Sequence, residues 1–245
     1  MHPDGLRQRG FLITLEGPEG SGKSTQARLL ADRLTAAGFD CLVTREPGGT
    51  PLGESIRQIL LHSRDLDPVP GADALLFNAA RAQLVSEVVE PALDRGEVVI
   101  CDRFADSTIA YQGYGAGEPI EDLRALERVA IGNLRPDLTV LVDIPVEQGL
   151  GRKQSDQITR FEERQDVEFH RRVRQGFLEL ASAEPDRWLV LDGLRTVGEI
   201  AADVYEAVAT RLRLKEAPAG AGPGSGRGEP MRSSEPQGGS ARMDR

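Results

Sequence analysis

Gly17, Gly22, Lys23 and Ser24 stand at G-x-x-x-x-G-K-S spacing inside the stretch GPEGSGKST. That spacing lets consecutive backbone N–H groups converge on an anion at the start of a helix. Lys23 can neutralise phosphate oxygens, and the Ser24 hydroxyl is placed to bind Mg²⁺. The candidate triphosphate site is therefore Gly17, Pro18, Glu19, Gly20, Ser21, Gly22, Lys23, Ser24 and Thr25. The chain has three lysines, Lys23, Lys153 and Lys215, so a lysine at this position is not compositional noise. A second candidate group follows the apolar run Val98-Val99-Ile100-Cys101. There Asp102 can support the metal beside Ser24, with Arg103 next in the chain.

These residues need elements that hold them at one level. Leu12, Ile13 and Leu15 make a strand before the glycine-rich turn, and Ala27, Leu29, Leu30 and Leu34 make a helix after it. Five β-like runs recur, at 11–15, 41–44, 98–101, 139–142 and 188–191, with helical periodicity between them. Strands that are almost wholly Val, Ile and Leu are buried on both faces, as in a parallel sheet covered by helices. The expectation is a doubly wound α/β fold with a five-stranded parallel sheet, its ligands at the carboxyl ends of the strands. Charged residues follow every run there: Glu16, Arg45-Glu46, Asp102-Arg103, Asp143 and Asp192. A long helix is expected over 72–89. It sets Phe77 and Arg81 four residues apart on one face, where a ring and a guanidinium can reach one planar ligand. Taken alone, the pair reads as a core phenylalanine beneath a snorkelling arginine.

The 245 residues carry a formal net charge of −9 and a pI near 5.0. That balance argues against a sequence-independent nucleic-acid binder, which needs a basic stripe, so an acidic protein gripping phosphates must concentrate its cations locally. Cys41 and Cys101 sit in apolar runs as small hydrophobes. Two cysteines make no disulfide framework or metal spacing. With no secretory signal and no membrane-spanning run, the expected location is cytoplasmic, with no membrane partner. One domain is expected over 11–214, after a short arm at 1–10. Residues 215–245, crowded with Gly, Pro and Ser, are expected to be disordered.

In order, the chain contains LEGPEGSGKSTQ, TREPGGTPLGE, LLFNAARAQ, DRFADSTIAYQG, PDLTVLVDIP and RFE. It lacks the N-K-x-D of GTPases and the S-G-G-Q of transporter ATPases. This series, spread over residues 11–195, resembles the bacterial thymidylate kinases. The resemblance implies a homodimeric P-loop nucleoside monophosphate kinase that phosphorylates dTMP with ATP and Mg²⁺. It implies that Glu19 faces the sugar and acceptor, that Arg45 and Arg103 meet the acceptor phosphate, and that Phe77 stacks on thymine while Arg81 hydrogen-bonds its edge. Ser107 and Gln112 would line that pocket, with Tyr111 under the deoxyribose. A polar segment at 149–165 would be a lid carrying the arginine that the loop interior lacks. Arg160 is the first choice, with Arg152 and Arg164 behind it, although Thr159 stands where the family usually has aspartate. Lys23, Arg103, Arg160 and Glu19 are then the catalytic set. Two other readings stay open: a kinase for another monophosphate or a nucleoside, with Glu19 or Glu46 as base, and a non-catalytic ATP-dependent switch.

Overall fold

A computed structural model of the protein describes residues 9–63, 65–152 and 165–216. The apolar runs form β1 (Phe11–Glu16), β2 (Cys41–Arg45), β3 (Val98–Asp102), β4 (Leu138–Asp143) and β5 (Trp188–Asp192). They pair in the order β2-β3-β1-β4-β5, every pairing parallel. Alternation along β1 divides its side chains between two cores. Ile13 and Leu15 pack with Leu30 and Leu34 of α1 (Lys23–Ala36) and Val204 and Val208 of α9 (Val197–Glu216). Leu12 faces the opposite layer, with Leu84, Val89 and Phe104.

Each strand runs to the charged residue that closes its apolar run. The register sets Leu15 and Arg45 opposite Asp102, and Asp143 opposite Asp192. The carboxyl ends of the strands therefore finish on a common level, which brings distant charged positions to one edge.

The other elements are α2 (Pro51–Leu61), α3 (Pro70–Leu84), α4 (Glu90–Asp94), α5 (Ala105–Thr108), α6 (Ile120–Ile131), α7 (Val146–Gly151) and α8 (Val167–Ala183). The helix expected over 72–89 differs at both ends. It begins at Pro70, where the missing N–H is harmless in a first turn. From Val85 to Val89 it widens to a π turn, with the Glu90 N–H on the Val85 carbonyl. Pro91 follows; it cannot donate and its ring crowds the preceding turn, which accounts for the widening. A second π segment, Ile109–Gly115, continues α5.

Helix α9 extends to Glu216, two residues past the expected boundary at Leu214. The expected tail beyond 216, most of the 1–10 arm, and Arg160 and Arg164 lie outside the described residues. Among the described residues no helix is long and apolar enough to cross a membrane. Both cysteines are free.

Candidate active site

β1 ends at Glu16, the chain turns through Gly17–Gly22, and α1 begins at Lys23. The Lys23 ammonium folds back over this turn, donating to the carbonyls of Gly17 (3.0 Å) and Pro18 (2.8 Å) and to Ser21 Oγ (3.2 Å). Burial, and then the charge of Arg103, lower its pKa from 10.5 to about 8. A phosphate anion would oppose this lowering by favouring the charged ammonium. The turn allows little bulk: a Cβ on Gly17 would lie 2.4 Å from the Val142 carbonyl oxygen. Gly20 and Gly149 meet backbone to backbone. A Cβ on Gly20 would lie 2.0 Å from the Gly149 oxygen, and one on Gly149 2.2 Å from the Glu19 oxygen.

The Ser24 hydroxyl donates to Asp102 Oδ2, joining the first turn of α1 to the end of β3. A hydroxyl and a carboxylate form an all-oxygen pair that suits Mg²⁺. Among the described residues no three His, Cys, Asp or Glu side chains cluster as a metal site.

Beside the turn, Arg103 occupies the left-handed region at φ 68. Its backbone N–H donates to the Leu15 carbonyl at 2.9 Å. Its guanidinium reaches the Gly17 carbonyl (3.2 Å), Ser107 Oγ (3.3 Å) and Glu19 Oε1 (2.7 Å). Tyr111 donates to the same Glu19 oxygen at 2.7 Å, and Arg103 lies 5.0 Å from the Tyr111 ring centroid. The ring is set by edge contacts with Phe169 and Phe177, at centroid separations of 6.2 and 6.1 Å. Burial, opposed by Arg103, pushes its phenol well above the ordinary tyrosine range. Gln112 is buried on the same segment.

Arg81 is only 1% exposed. It donates to Glu46 Oε2, Asn78 Oδ1 (3.1 Å), the Phe104 carbonyl (3.2 Å) and Thr108 Oγ1 (3.0 Å). It is thus locked in the wall, not snorkelling. Phe77, partly buried, packs on Ile56, Leu60 and Ala80. Arg45 is more exposed and pairs with Glu54 at 3.0 Å.

One cleft of about 580 Å³ gathers most of the residues singled out in the sequence. Its walls include Glu19, Gly20, Gly22, Lys23, Ser24, Thr25, Arg45, Phe77, Arg81, Asp102, Arg103, Ser107, Tyr111 and Gln112. Gly17, Pro18 and Ser21 shape the turn without lining the cleft. Six residues that sequence reasoning gave no part in binding, or set second, also line it: Glu46, Pro47, Arg57, Leu61, Thr108 and Arg152. Arg57 lies beside the buried stripe Gly53, Ile56 and Leu60 of α2, and Nη1 holds the Pro47 carbonyl at 2.8 Å. Its place at the margin of an apolar stripe was the available signal. Arg152 spans from the Gly20 carbonyl (3.4 Å) to that of Gly193 (3.2 Å).

A phosphate loop after the central strand of a parallel sheet, opening on the cleft that Arg45, Arg81 and Arg103 also line, defines a P-loop nucleotide kinase. The thymidylate kinase family model matches residues 15–204. The chain is 47% identical over 221 residues to a thymidylate kinase of Roseiflexus sp. strain RS-1, covering 82% of this chain and 97% of that protein. It is 50% identical over 208 residues to that of Deinococcus radiodurans, covering 83% and 98%. The crystal structure of thymidylate kinase from Ehrlichia chaffeensis superposes with a TM-score of 0.67 at 33% identity, covering 82% of this chain and 99% of that one. The chain belongs to the thymidylate kinase family.

Proposed function

We propose that this chain transfers the γ-phosphoryl group of ATP to dTMP, forming dTDP for dTTP synthesis. One observation carries the reading most directly: a single Arg103 guanidinium touches both the phosphate-loop carbonyl of Gly17 and Glu19, inside the cleft that holds Phe77 and Arg81. Donor and acceptor phosphates would thus share one cationic junction. The attacking atom is a dTMP phosphate oxygen, largely dianionic at neutral pH because the second phosphate pKa is near 6. No general base is needed. The work is to bring two polyanions into line and to offset charge as it spreads. Lys23 and the loop N–H groups would hold the donor. Arg103, with Arg45 beside it, would hold the acceptor phosphate, while Phe77 and Arg81 take the base and Tyr111 packs under the sugar. Mg²⁺, held by Ser24 and Asp102, would supply charge neutralisation to the donor phosphates.

The reading includes a homodimer. Leu52 of α2 and Leu75 of α3 are 49% and 57% exposed on adjacent helices, which supports a covered face there. It also includes a cytoplasmic location, where both substrates occur. An ADP-release assay across dTMP, dUMP, dCMP, AMP and thymidine tests the assignment: dTMP should give the highest kcat/KM. Preference for another acceptor, or ADP release independent of any acceptor, would overturn it.

A further inference from the structure

The segment Arg103–Thr108 presents three cleft residues, Arg103, Ser107 and Thr108. It starts from a strained residue, since Arg103 holds a left-handed φ of 68 that a non-glycine side chain disfavours. Something outside the segment must over-determine that conformation. Two consecutive residues of β1 do so. The Leu15 carbonyl accepts the Arg103 N–H at 2.9 Å. Glu16, fully buried and not a cleft residue, accepts the Phe104 N–H on Oε1 at 2.8 Å and the Ser107 hydroxyl on Oε2 at 2.6 Å. Ser107 Oγ in turn receives Arg103 Nη1 at 3.3 Å. One carboxyl therefore clamps both ends of the Phe104–Ser107 turn and backs the side chain that touches Arg103. Its neighbour Asp106 faces another partner: both Asp106 oxygens accept from Arg187, at 2.6 and 3.1 Å.

We propose that Glu16 is a positioning residue for the acceptor phosphate: it ties the end of β1 to the Phe104–Ser107 turn and so fixes where the Arg103 guanidinium stands. This rests on Arg103 being the acceptor-phosphate ligand, as proposed above. Burial, and then the charge of Asp106, push the Glu16 carboxyl from 4.5 to about 8, against Ser107, Arg103 and the Phe104 N–H. At neutral pH the group is mostly uncharged, its proton shared on the bond to Ser107 Oγ while Oε1 accepts from Phe104, so its part is geometric rather than Coulombic. An uncharged amide of the same shape should do nearly as well.

The test is steady-state kinetics of the full chain with KM measured separately for dTMP and ATP. Glu16→Ala should raise KM for dTMP by about 10-fold or more, since small misplacements of a positioning group are costly, and leave KM for ATP within about twofold. Glu16→Gln should bring KM for dTMP back to within about threefold of wild type, because it still offers an acceptor to Phe104 and a polar partner to Ser107. If the alanine variant does not fold, Glu16→Asp, shorter by one methylene, must show the same selective rise. An unchanged KM for dTMP, an equal rise for both substrates, or a folded glutamine variant as impaired as alanine overturns the proposal. Arg103→Ala separates the two levels. If it raises KM for dTMP while the Glu16 variants do not, only the positioning role falls. If it leaves KM for dTMP unchanged, the reading of the cleft falls too.

Discussion

The guanidinium of Arg81 grips one carboxylate oxygen of Glu46, with Nη2 at 2.7 Å and Nε at 2.8 Å from Oε2. Both side chains are almost fully buried, at 1% and 4% exposed. Burial pushes the Glu46 carboxyl up, and Arg81 pulls it back. Replacing one partner leaves a buried charge unpaired, which costs about 3–5 kcal/mol. Glu46→Ala should therefore lower unfolding stability in urea by about 3 kcal/mol or more and raise KM for dTMP, since Arg81 loses the contact that orients it. A melt indistinguishable from wild type would show that Arg81 finds another partner.

Among the described residues Lys23 bonds within its own turn, to Gly17, Pro18 and Ser21. The sheet and α1 are held by Ile13, Leu15, Leu30 and Leu34 instead. Lys23→Ala should lower kcat by about 10²-fold or more, the usual loss for one group aimed at developing charge. Its melting temperature should stay close to wild type. Near-normal turnover would exclude Lys23 from stabilising the transferred group.

Two arginines of the expected lid carry separate predictions. Arg160→Ala should lower kcat by at least about 10²-fold with dTMP binding little changed, as for a cation that meets the phosphoryl group mainly in the transition state. Arg152 is already bound to the Gly20 and Gly193 carbonyls. Arg152→Ala should instead raise KM for ATP with a smaller effect on kcat, because losing these bonds loosens the phosphate-loop backbone at Gly20 before chemistry begins. Wild-type kcat in Arg160→Ala beside a collapse in Arg152→Ala would reassign the role to Arg152.

Glu16 makes stability depend on pH. Its folded pKa of about 8 lies above the ordinary 4.5, raised by burial and then by the charge of Asp106, against Ser107 and Arg103. Between these values the folded state holds a proton that the unfolded state has released, so the contribution is present below pH 4.5 and is lost as pH rises through 8. Glu16→Gln cannot lose that proton. Its melting temperature relative to wild type should increase from pH 5.5 to pH 8.5, and a constant difference would place the Glu16 titration elsewhere.

The sheet was legible because runs such as Val98–Cys101 leave no other reading. Each strand end shifted by a residue because ladder pairing continues into charged side chains, which hydropathy treats as the stop. That Phe77, Arg81, Tyr111 and Gln112 share one cleft was legible through motif order rather than periodicity. Glu16 was not assigned a part, since a glutamate before a glycine turn looks like a strand end and its partners lie 88 and 91 positions away. Glu46 was read as a candidate base, whereas the structure commits one of its oxygens to Arg81. The π turns at Val85–Val89 and Ile109–Gly115 share a backbone spacing with no periodic signature of its own.

The abutment of Gly20 against Gly149 links two distant stretches in how they can vary over descent. Neither position can gain a side chain alone, because the new carbon would fall about 2 Å from a backbone oxygen of the opposing stretch. An arginine could enter the loop tip at Gly20 only if α7 moved away, and α7 leads directly into residues 153–164. Whether the phosphate loop can carry a cation at its tip is thus a decision about backbone spacing. A single codon change at Gly20 cannot supply one.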